Sequence, residues 1–442
     1  MTIFALNNAV MTLGAGGFKI KQTYDMKKSY LKWGVLCLTA LTVGCSDDKT
    51  EIDNPEGPQG SGTMQQLSPE ESRQFLEGVA VGFMDMINPE EQRPIIELAA
   101  YYFAEYGTYT LPAEFIPGSA GGYTPTEYLR QIAEAAKGYI EGLTRAAATY
   151  SYTPAFAKYA GIYEPDASTH SWVKSADSQD IIFRFPDKSG QPVEMKVSQS
   201  APMNVNASLT DNGTQLAATS FSGSLDEKKQ TLAANMEASL MNIRTTTQVA
   251  GIDSKIESRS QVFVSNAPVA TAYATIEGNG LCDRARYEAL KDLEKDMLDD
   301  QIGEMFKKGY CGMDLAGKVQ VYGQMEYYTR LPLDIAGAYG VWDENKAQMG
   351  QDACQQACDR LNKNVSAQIR YNNTATDQAT ILFRPAVKDF GYMTEYYPEC
   401  VLLFPDGSRY TPAEYFSGFT SVAARFRTLV ESYVALWMQA LQ

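Results

Sequence analysis

The sequence predicts an α+β fold, with an N-terminal helical segment followed by an antiparallel sheet of hairpins that is covered by helices. The first predicted elements carry apolar residues at helical spacing. From about residue 171 apolar and polar residues alternate, as is typical of strands. Helices and hairpins then follow one another without the βαβ rhythm of a parallel sheet. The chain has 442 residues, 44% of them hydrophobic, so it can form one large domain or two.

Two short motifs predict where the first helices begin. Ser68-Pro69-Glu70-Glu71 combines an N-cap serine, proline at the first helical position and a glutamate that can close a capping box. Asn88-Pro89-Glu90-Glu91 repeats this arrangement. Apolar residues at helical spacing follow both motifs, and a third helix is expected over residues 126–149. We therefore predict a helical subdomain over residues 67–165.

Residues 166–442 are predicted to form the α+β domain. Its first hairpins are indicated by turn residues at 187–190 and 211–213, with long strands expected after them. The further predicted elements, in order, are strands at 233–248, 252–265 and 268–277, a helix at 281–308, a strand at 319–328, a helix at 344–363, strands at 366–371, 378–383 and 401–404, and a helix at 419–441.

The N-terminal region has the features of a signal sequence. Lysines near Met26 precede an apolar stretch over residues 33–44, which is too short to span a bilayer. The sequence Leu41-Thr42-Val43-Gly44-Cys45 resembles the lipobox of type II signal peptides, although Thr42 replaces the usual leucine. This resemblance implies cleavage before Cys45 and a lipid on its thiol. We expect residues 1–44 to be the signal region, with the true start at Met26.

An acidic run begins directly after the predicted lipid attachment site. Ser46, Asp47 and Asp48 open a segment similar to the surface-export signal of Bacteroidota lipoproteins; the alternative is that these residues merely solvate a tether. Residues 45–66 form the expected flexible tether, rich in Pro, Gly and Ser. This layout resembles uncharacterised lipoproteins of Bacteroidota cell envelopes. It implies a lipid-anchored outer-membrane protein, on the cell surface or, alternatively, on the periplasmic face.

Charge and cysteine content narrow the possible partners. The formal net charge of −15 makes nucleic acid an unsuitable partner, because binding to phosphates requires clustered Lys and Arg. Five cysteines follow Cys45, an odd and small number for a disulfide scaffold. Cys354 and Cys358 share one face of a predicted helix, so they form either a disulfide or a pair of buried thiols.

No motif specific for a particular chemistry follows the tether, and we expect no catalytic residue, cofactor or metal site. The single histidine, His170, lies in a polar loop and is expected to be exposed. Four acidic residues could form a glycosidase pair, but basic residues at compensating positions favour a solvated helix face; these are Glu294, Asp296, Asp299 and Asp300. Asp406-Gly407 is interpreted as a hairpin turn rather than a metal loop. The 27 tyrosines could form a carbohydrate platform or serve in the core and at its rim.

Three functions remain open. The first is a non-catalytic binding or structural lipoprotein that captures a glycan, a protein or a small ligand. The second is a carrier of lipid or another apolar ligand, held in a cavity between sheet and helices. The third is a glycoside hydrolase that uses carboxylates alone. A dry apolar cavity would favour the carrier, an open aromatic cleft would favour glycan binding, and converging carboxylates would favour hydrolysis.

Overall fold

The computed structural model describes residues 63–112, 124–125, 159–201, 204–226, 228–283, 285–286, 303–338, 350–389 and 394–442. The helices among them are α1 (Pro69–Asp85), α2 (Arg93–Glu105), α3 (Leu331–Ala338), α4 (Gln351–Asn364), α5 (Pro412–Phe416) and α6 (Thr420–Ala440), with a 3₁₀ turn at Pro89–Gln92 before α2. The strands are β1 (Gly161–Asp166), β2 (Ser171–Ala176), β3 (Ile181–Pro186), β4 (Pro192–Ala201), β5 (Asn204–Asp211), β6 (Thr214–Asp226), β7 (Thr231–Leu240), β8 (Ile243–Ile252), β9 (Lys255–Val264), β10 (Ala267–Gly278), β11 (Phe306–Leu315), β12 (Val319–Glu326), β13 (Val365–Tyr371), β14 (Asp377–Asp389), β15 (Thr394–Leu403) and β16 (Arg409–Tyr410).

All sixteen strands belong to one open sheet. From β3 to β16 each strand pairs with the next strand in sequence, and β1 and β2 complete the sheet beyond β3. The pairs are antiparallel except for β1 and β3, which run parallel, so the sheet is mixed. Most connections are tight turns. An antiparallel meander of this kind needs no crossover helices.

The prediction of a helix-covered α+β fold is therefore wrong. The sheet dominates the described residues. Helices α1 and α2 each pack against a few of its strands, and α6 packs against these two helices. Residues 232–241 have helical propensity in isolation, but they lie between two long partner strands and form most of β7. The predicted helix that ends at Lys308 also fails there, because Phe306–Leu315 is β11. Pairing between distant segments overrides local propensity at both places.

The predicted helix starts at Ser68 and Asn88 are confirmed. Ser68 and Glu71 form a reciprocal capping box at α1, and the Asn88 side chain accepts a hydrogen bond from the Glu90 amide at the 3₁₀ turn. A second capping box joins Thr411 and Glu414 at α5. Among the described residues no helix is both long enough and apolar enough to cross a membrane.

Helix α1 packs against the end of the sheet that contains β12–β15. Its residues Phe75, Leu76 and Val79 share a core with Ile369 and Tyr371 of β13. A buried polar contact joins the hydroxyl groups of Ser72 and Tyr371. Just before the helix, the Leu67 amide donates to the side-chain oxygen of buried Gln378, at 2.8 Å.

Helix α2 packs against the opposite end of the sheet. Leu98 and Tyr102 share a second core with aromatic and branched residues of β1–β5, among them Trp172, Phe183 and Phe185. Trp172 and Phe183 are fully buried. Only residues 86–92, which include the 3₁₀ turn, separate α2 from α1, so two adjoining helices touch the two ends of the strand order.

Both helices contact the same face of the sheet. The strand register places Val197 of β4 and Ile369 of β13, which belong to the two cores, on one side of the strands. In a flat sheet β4 and β13 would lie about 43 Å apart, at nine positions of 4.8 Å. A twisted open sheet of sixteen strands curls rather than staying flat. Curling towards the two adjoining helices makes the face that they contact concave.

The helices lie at one rim of this curved sheet. The side chains of Gln92 and Asn242, which lie before α2 and in the β7–β8 turn, are joined by a hydrogen bond of 2.5 Å. The β13–β14 turn belongs to the same rim, and there Thr376 accepts a hydrogen bond from the Met64 amide at 3.2 Å. We call this edge the helix rim; the opposite edge, which includes the β8–β9 turn, is the far rim.

Candidate functional site

The concave face of the sheet is apolar across its whole width. Because directly paired residues point to the same side of a sheet, the strand register identifies its side chains. One row crosses eight strands and comprises Phe221, Met236, Thr247, Ser260, Ala272, Met313, Val321 and Ile369. The next row towards the far rim comprises Gly223, Ala234, Val249, Ser258, Ala274, Cys311, Gly323 and Ala367. We call this surface the apolar face.

The other side of the same strands is polar. A row that alternates with those above comprises Ser220, Glu237, Thr246, Gln261, Thr271, Asp314, Gln320 and Arg370. Along β9, for example, Lys255, Glu257 and Arg259 all point to this side, while Ile256 points to the apolar face. This outer surface suits contact with water, whereas the concave surface does not.

Charged side chains are absent from the apolar face at the paired positions of β6–β13 within the described ranges. Apart from Tyr371 and Cys311, its polar members are serines and threonines. Burial raises the pKa of the Cys400 thiol, which extends this face onto β15, to about 11. The surroundings there disfavour charge.

Part of the apolar face is accessible. On β9–β12 several of its residues are only half-buried, including Val262, Met313 and Val321. On β6–β8 the face is packed, since Phe221 and Val249 belong to a buried cluster to which no residue of α1–α6 contributes. The face thus remains open over β9–β12, and accessible apolar surface is the usual sign of a binding surface.

A smaller cavity of about 400 Å³ lies at the β1–β2 edge. Tyr159, Tyr163 and Trp172 contribute to its lining. These rings are almost fully buried, and the Tyr163 hydroxyl donates to the backbone oxygen of Tyr159 at 3.0 Å. Rings held in the core in this way cannot stack on a sugar, so the cavity does not form an aromatic platform.

The residues predicted to anchor the protein lie outside the described part of the chain. These are Cys45, Ser46, Asp47 and Asp48, and the carboxylates Glu294, Asp296, Asp299 and Asp300 also lie outside it. The helix predicted over residues 126–149 also lies outside the described residues. No cluster of His, Cys, Asp and Glu suited to a metal ion occurs among the residues that the structure describes.

His170 and Asp406 occupy the turns that the sequence predicts for them. His170 is exposed between β1 and β2, and its ring stacks on Tyr109 at 5.2 Å between centroids. Asp406 accepts a hydrogen bond from the Ser408 amide at 2.9 Å in the turn before β16. Neither residue converges with other groups on a site.

Cys354 and Cys358 are free and buried, so the disulfide left open by their spacing is not formed. Burial raises the pKa of Cys358 to about 12, with a further contribution from Cys354. Both thiols pack where α4 meets the sheet, and burial also raises the pKa of Cys354. They are structural groups, since a reactive cysteine requires a lowered pKa.

The sequence interpretation missed the apolar face. Its alternation is diluted by Ala, Gly, Ser and Thr, which a pattern of large apolar residues does not detect. A second signal was present: along β7–β9 every charged residue falls on the same alternate positions, as Glu237, Arg244 and Glu257 illustrate. The position of charges marks the two faces more clearly than hydrophobicity does.

Comparison with known proteins adds little. No protein-family model matches the chain, and no curated protein matches it. One solved structure, a porin-like protein from Bacteroides vulgatus ATCC 8482, is similar to 56% of this chain and 87% of its own, with 10% identity and a TM-score of 0.18. A likeness at that level carries no argument about fold or function.

Proposed function

We propose that the protein is a non-catalytic binding protein of the cell envelope that holds an elongated apolar ligand, such as an acyl chain, against the apolar face. The observation that carries this proposal is the concave surface without charge on β6–β13, which is accessible over β9–β12. Exposed apolar surface of this extent is costly in water unless a ligand or partner covers it.

The dimensions of the face suit a long ligand. Its strands are commonly ten residues long, or about 33 Å, and eight strands span about 34 Å across. An acyl chain can lie in either direction without meeting a charged group. A polar substituent on the ligand could form hydrogen bonds with hydroxyl groups such as those of Ser258 and Ser260, because a hydroxyl can both donate and accept.

The other functions receive less support. The aromatic rings at the β1–β2 cavity are buried, which disfavours glycan stacking there. The carboxylates considered for hydrolysis lie outside the described residues, so a glycosidase has no geometric support. The proposed carrier role needs only the face itself.

Two substitutions of adjacent residues test the proposal. Ala238 and Ser239 are neighbours on β7, half-buried, and point to the apolar and the polar face respectively. In the full chain with Cys45→Ala, titration with a fluorescent fatty acid should give saturable binding. Ala238→Trp should weaken it about tenfold by filling the face, whereas Ser239→Trp should leave it unchanged. Equal effects of the two variants, or no saturable binding, would contradict the proposal.

We also propose that Cys45 carries the lipid that holds the protein at the outer membrane, with Ser46, Asp47 and Asp48 directing it to the cell surface. The support is the lipobox-like sequence and the acidic run that follows it. Labelled palmitate should be incorporated into the wild-type protein and not into the Cys45→Ala variant. Equal labelling of the two proteins would contradict the proposed lipid attachment at Cys45. A single acyl chain binds membranes only marginally, so stable anchoring requires more than one chain.

A further inference from the structure

The outer side of α6 carries an exposed apolar stripe. Phe426, Val430, Val434, Met438 and Leu441 recur at helical spacing and retain 48%, 43%, 43%, 55% and 53% of their surface. The opposite side of the helix is packed, as the burial of Leu429 and Leu436 demonstrates. The stripe is about 22 Å long, since it spans 16 residues.

Contacts with both N-terminal helices hold α6 across the helix rim. Near its start, the Ser421 amide donates to Glu77 of α1 at 2.6 Å, and Arg425 pairs with Asp85 at 2.5 Å. Near its end, Arg93 donates to Gln439 at 3.2 Å. With its inner side fixed in this way, the stripe faces away from α1 and α2, which themselves pack against the sheet.

The chain enters the folded body at the same rim. Met64 is hydrogen-bonded to the β13–β14 turn through Thr376, directly before α1. Eighteen residues separate Cys45 from Met64, and the sequence predicts a tether there. A flexible chain of that length would have a mean reach of about 20–25 Å. The strands alone are about 33 Å long, so an anchor at Cys45 would keep the helix rim, and not the far rim, next to the bilayer.

We propose that the stripe of α6 lies on the surface of the lipid bilayer, as an interfacial helix that orients the body with its helix rim against the membrane. The chemistry fits insertion at the boundary between head groups and acyl chains, where amphipathic helices with aromatic residues bind. Trp437 borders the stripe and contacts Phe103, with their ring centroids 6.5 Å apart, which adds two aromatic rings of the kind favoured at interfaces.

The driving force is apolar rather than electrostatic. Arg427 and Glu431 are the exposed charged residues on the stripe side, and they carry opposite charges. The whole chain has a net charge of −15, which opposes binding to anionic lipids. Binding to neutral lipid is therefore expected, with little dependence on salt.

The proposal does not depend on the ligand of the apolar face; it uses the anchor at Cys45 only to decide which rim approaches the membrane. The test uses residues 45–442 with Cys45→Ala, so that neither the signal region with its Trp33 nor a lipid anchor contributes, and flotation with phosphatidylcholine vesicles. The unlipidated protein should bind these vesicles. Val430→Asp with Val434→Asp should reduce the partition coefficient about tenfold or more, because two apolar contacts are replaced by charges.

Ile252→Asp is the matched control, since Ile252 is 54% exposed at the far rim. It should leave vesicle binding unchanged. Brominated phosphatidylcholine should quench the fluorescence of the parent protein, and Trp437→Phe should abolish most of that quenching. Circular dichroism checks that each variant retains its fold.

Four outcomes would overturn the proposal. They are absence of vesicle binding by the parent, equal binding by the double variant, binding restricted to anionic vesicles and lost in salt, and self-association that the double variant abolishes. The last result would assign the stripe to a second copy of the chain.

Discussion

Asp334 is the fully buried carboxylate around which α3 and α4 are joined. It accepts hydrogen bonds from Nε and Nη2 of Arg360 at 2.8 and 2.9 Å, and from the Tyr328 hydroxyl at 2.9 Å. Arg360 retains 31% of its side-chain surface, so water reaches one partner and not the other. Burial raises the pKa of Tyr328, and the adjacent Asp334 adds to this effect. The cost of breaking the pair must therefore depend on which member is removed.

Arg360→Met should lower the free energy of unfolding by about 3 kcal/mol, because it leaves a buried charge without its partner. Asp334→Asn should cost less, about 1–2 kcal/mol, since Arg360 can turn to water and the amide still accepts a hydrogen bond from Tyr328. Urea denaturation of both variants measures the difference. A larger loss for Asp334→Asn would mean that the guanidinium, not the carboxylate, is the poorly solvated partner.

At the level of helices and strands, the sequence predicts what is decided within a few residues. The helix starts at Ser68 and Asn88 depend on contacts at most three residues away, and both are present. The hairpin turn at Asp187 likewise forms, with its side chain accepting a hydrogen bond from the Ser189 amide at 2.8 Å. Such elements could be predicted because their stabilising partners are local.

Elements that depend on distant partners could not be predicted in this way. The β7 segment has helical propensity, and β11 was partly interpreted as the end of a helix. Their conformation is decided by β6, β8, β10 and β12 on either side. The apolar face is harder still to foresee, because it exists only once the register places Met236, Ser260 and Met313 in one row. Sequence patterns constrain a strand's two sides but not the neighbours that align them.

At the scale of the whole molecule, the helices connect the two ends of the sheet. Tyr371 of β13 and Trp172 of β2 lie at opposite ends of the strand order, yet each belongs to a core that contains residues of α1 or α2. Because these helices adjoin one another, loss of packing at one end of the sheet should also lower the stability of the other end. The curvature that exposes the apolar face then depends on both cores together.

This coupling can be measured with Tyr371→Phe in a chain where Trp33, Trp342 and Trp437 are replaced by Phe, so that Trp172 alone reports. The substitution removes the contact between the Tyr371 hydroxyl and the buried Ser72 hydroxyl, while Tyr415 remains beside Ser72, and it should cost about 1 kcal/mol. If the curved sheet unfolds as one unit, the transition seen by Trp172 shifts to lower urea by the same amount as the transition seen by circular dichroism. Ser239→Ala on the polar face serves as the control, because Ser239 is half-buried outside both cores and its hydroxyl is small, so the change in stability should be slight. A Trp172 transition that stays in place while circular dichroism shifts would mean that the two ends unfold separately, and the helices would then follow the curvature of the sheet rather than maintain it.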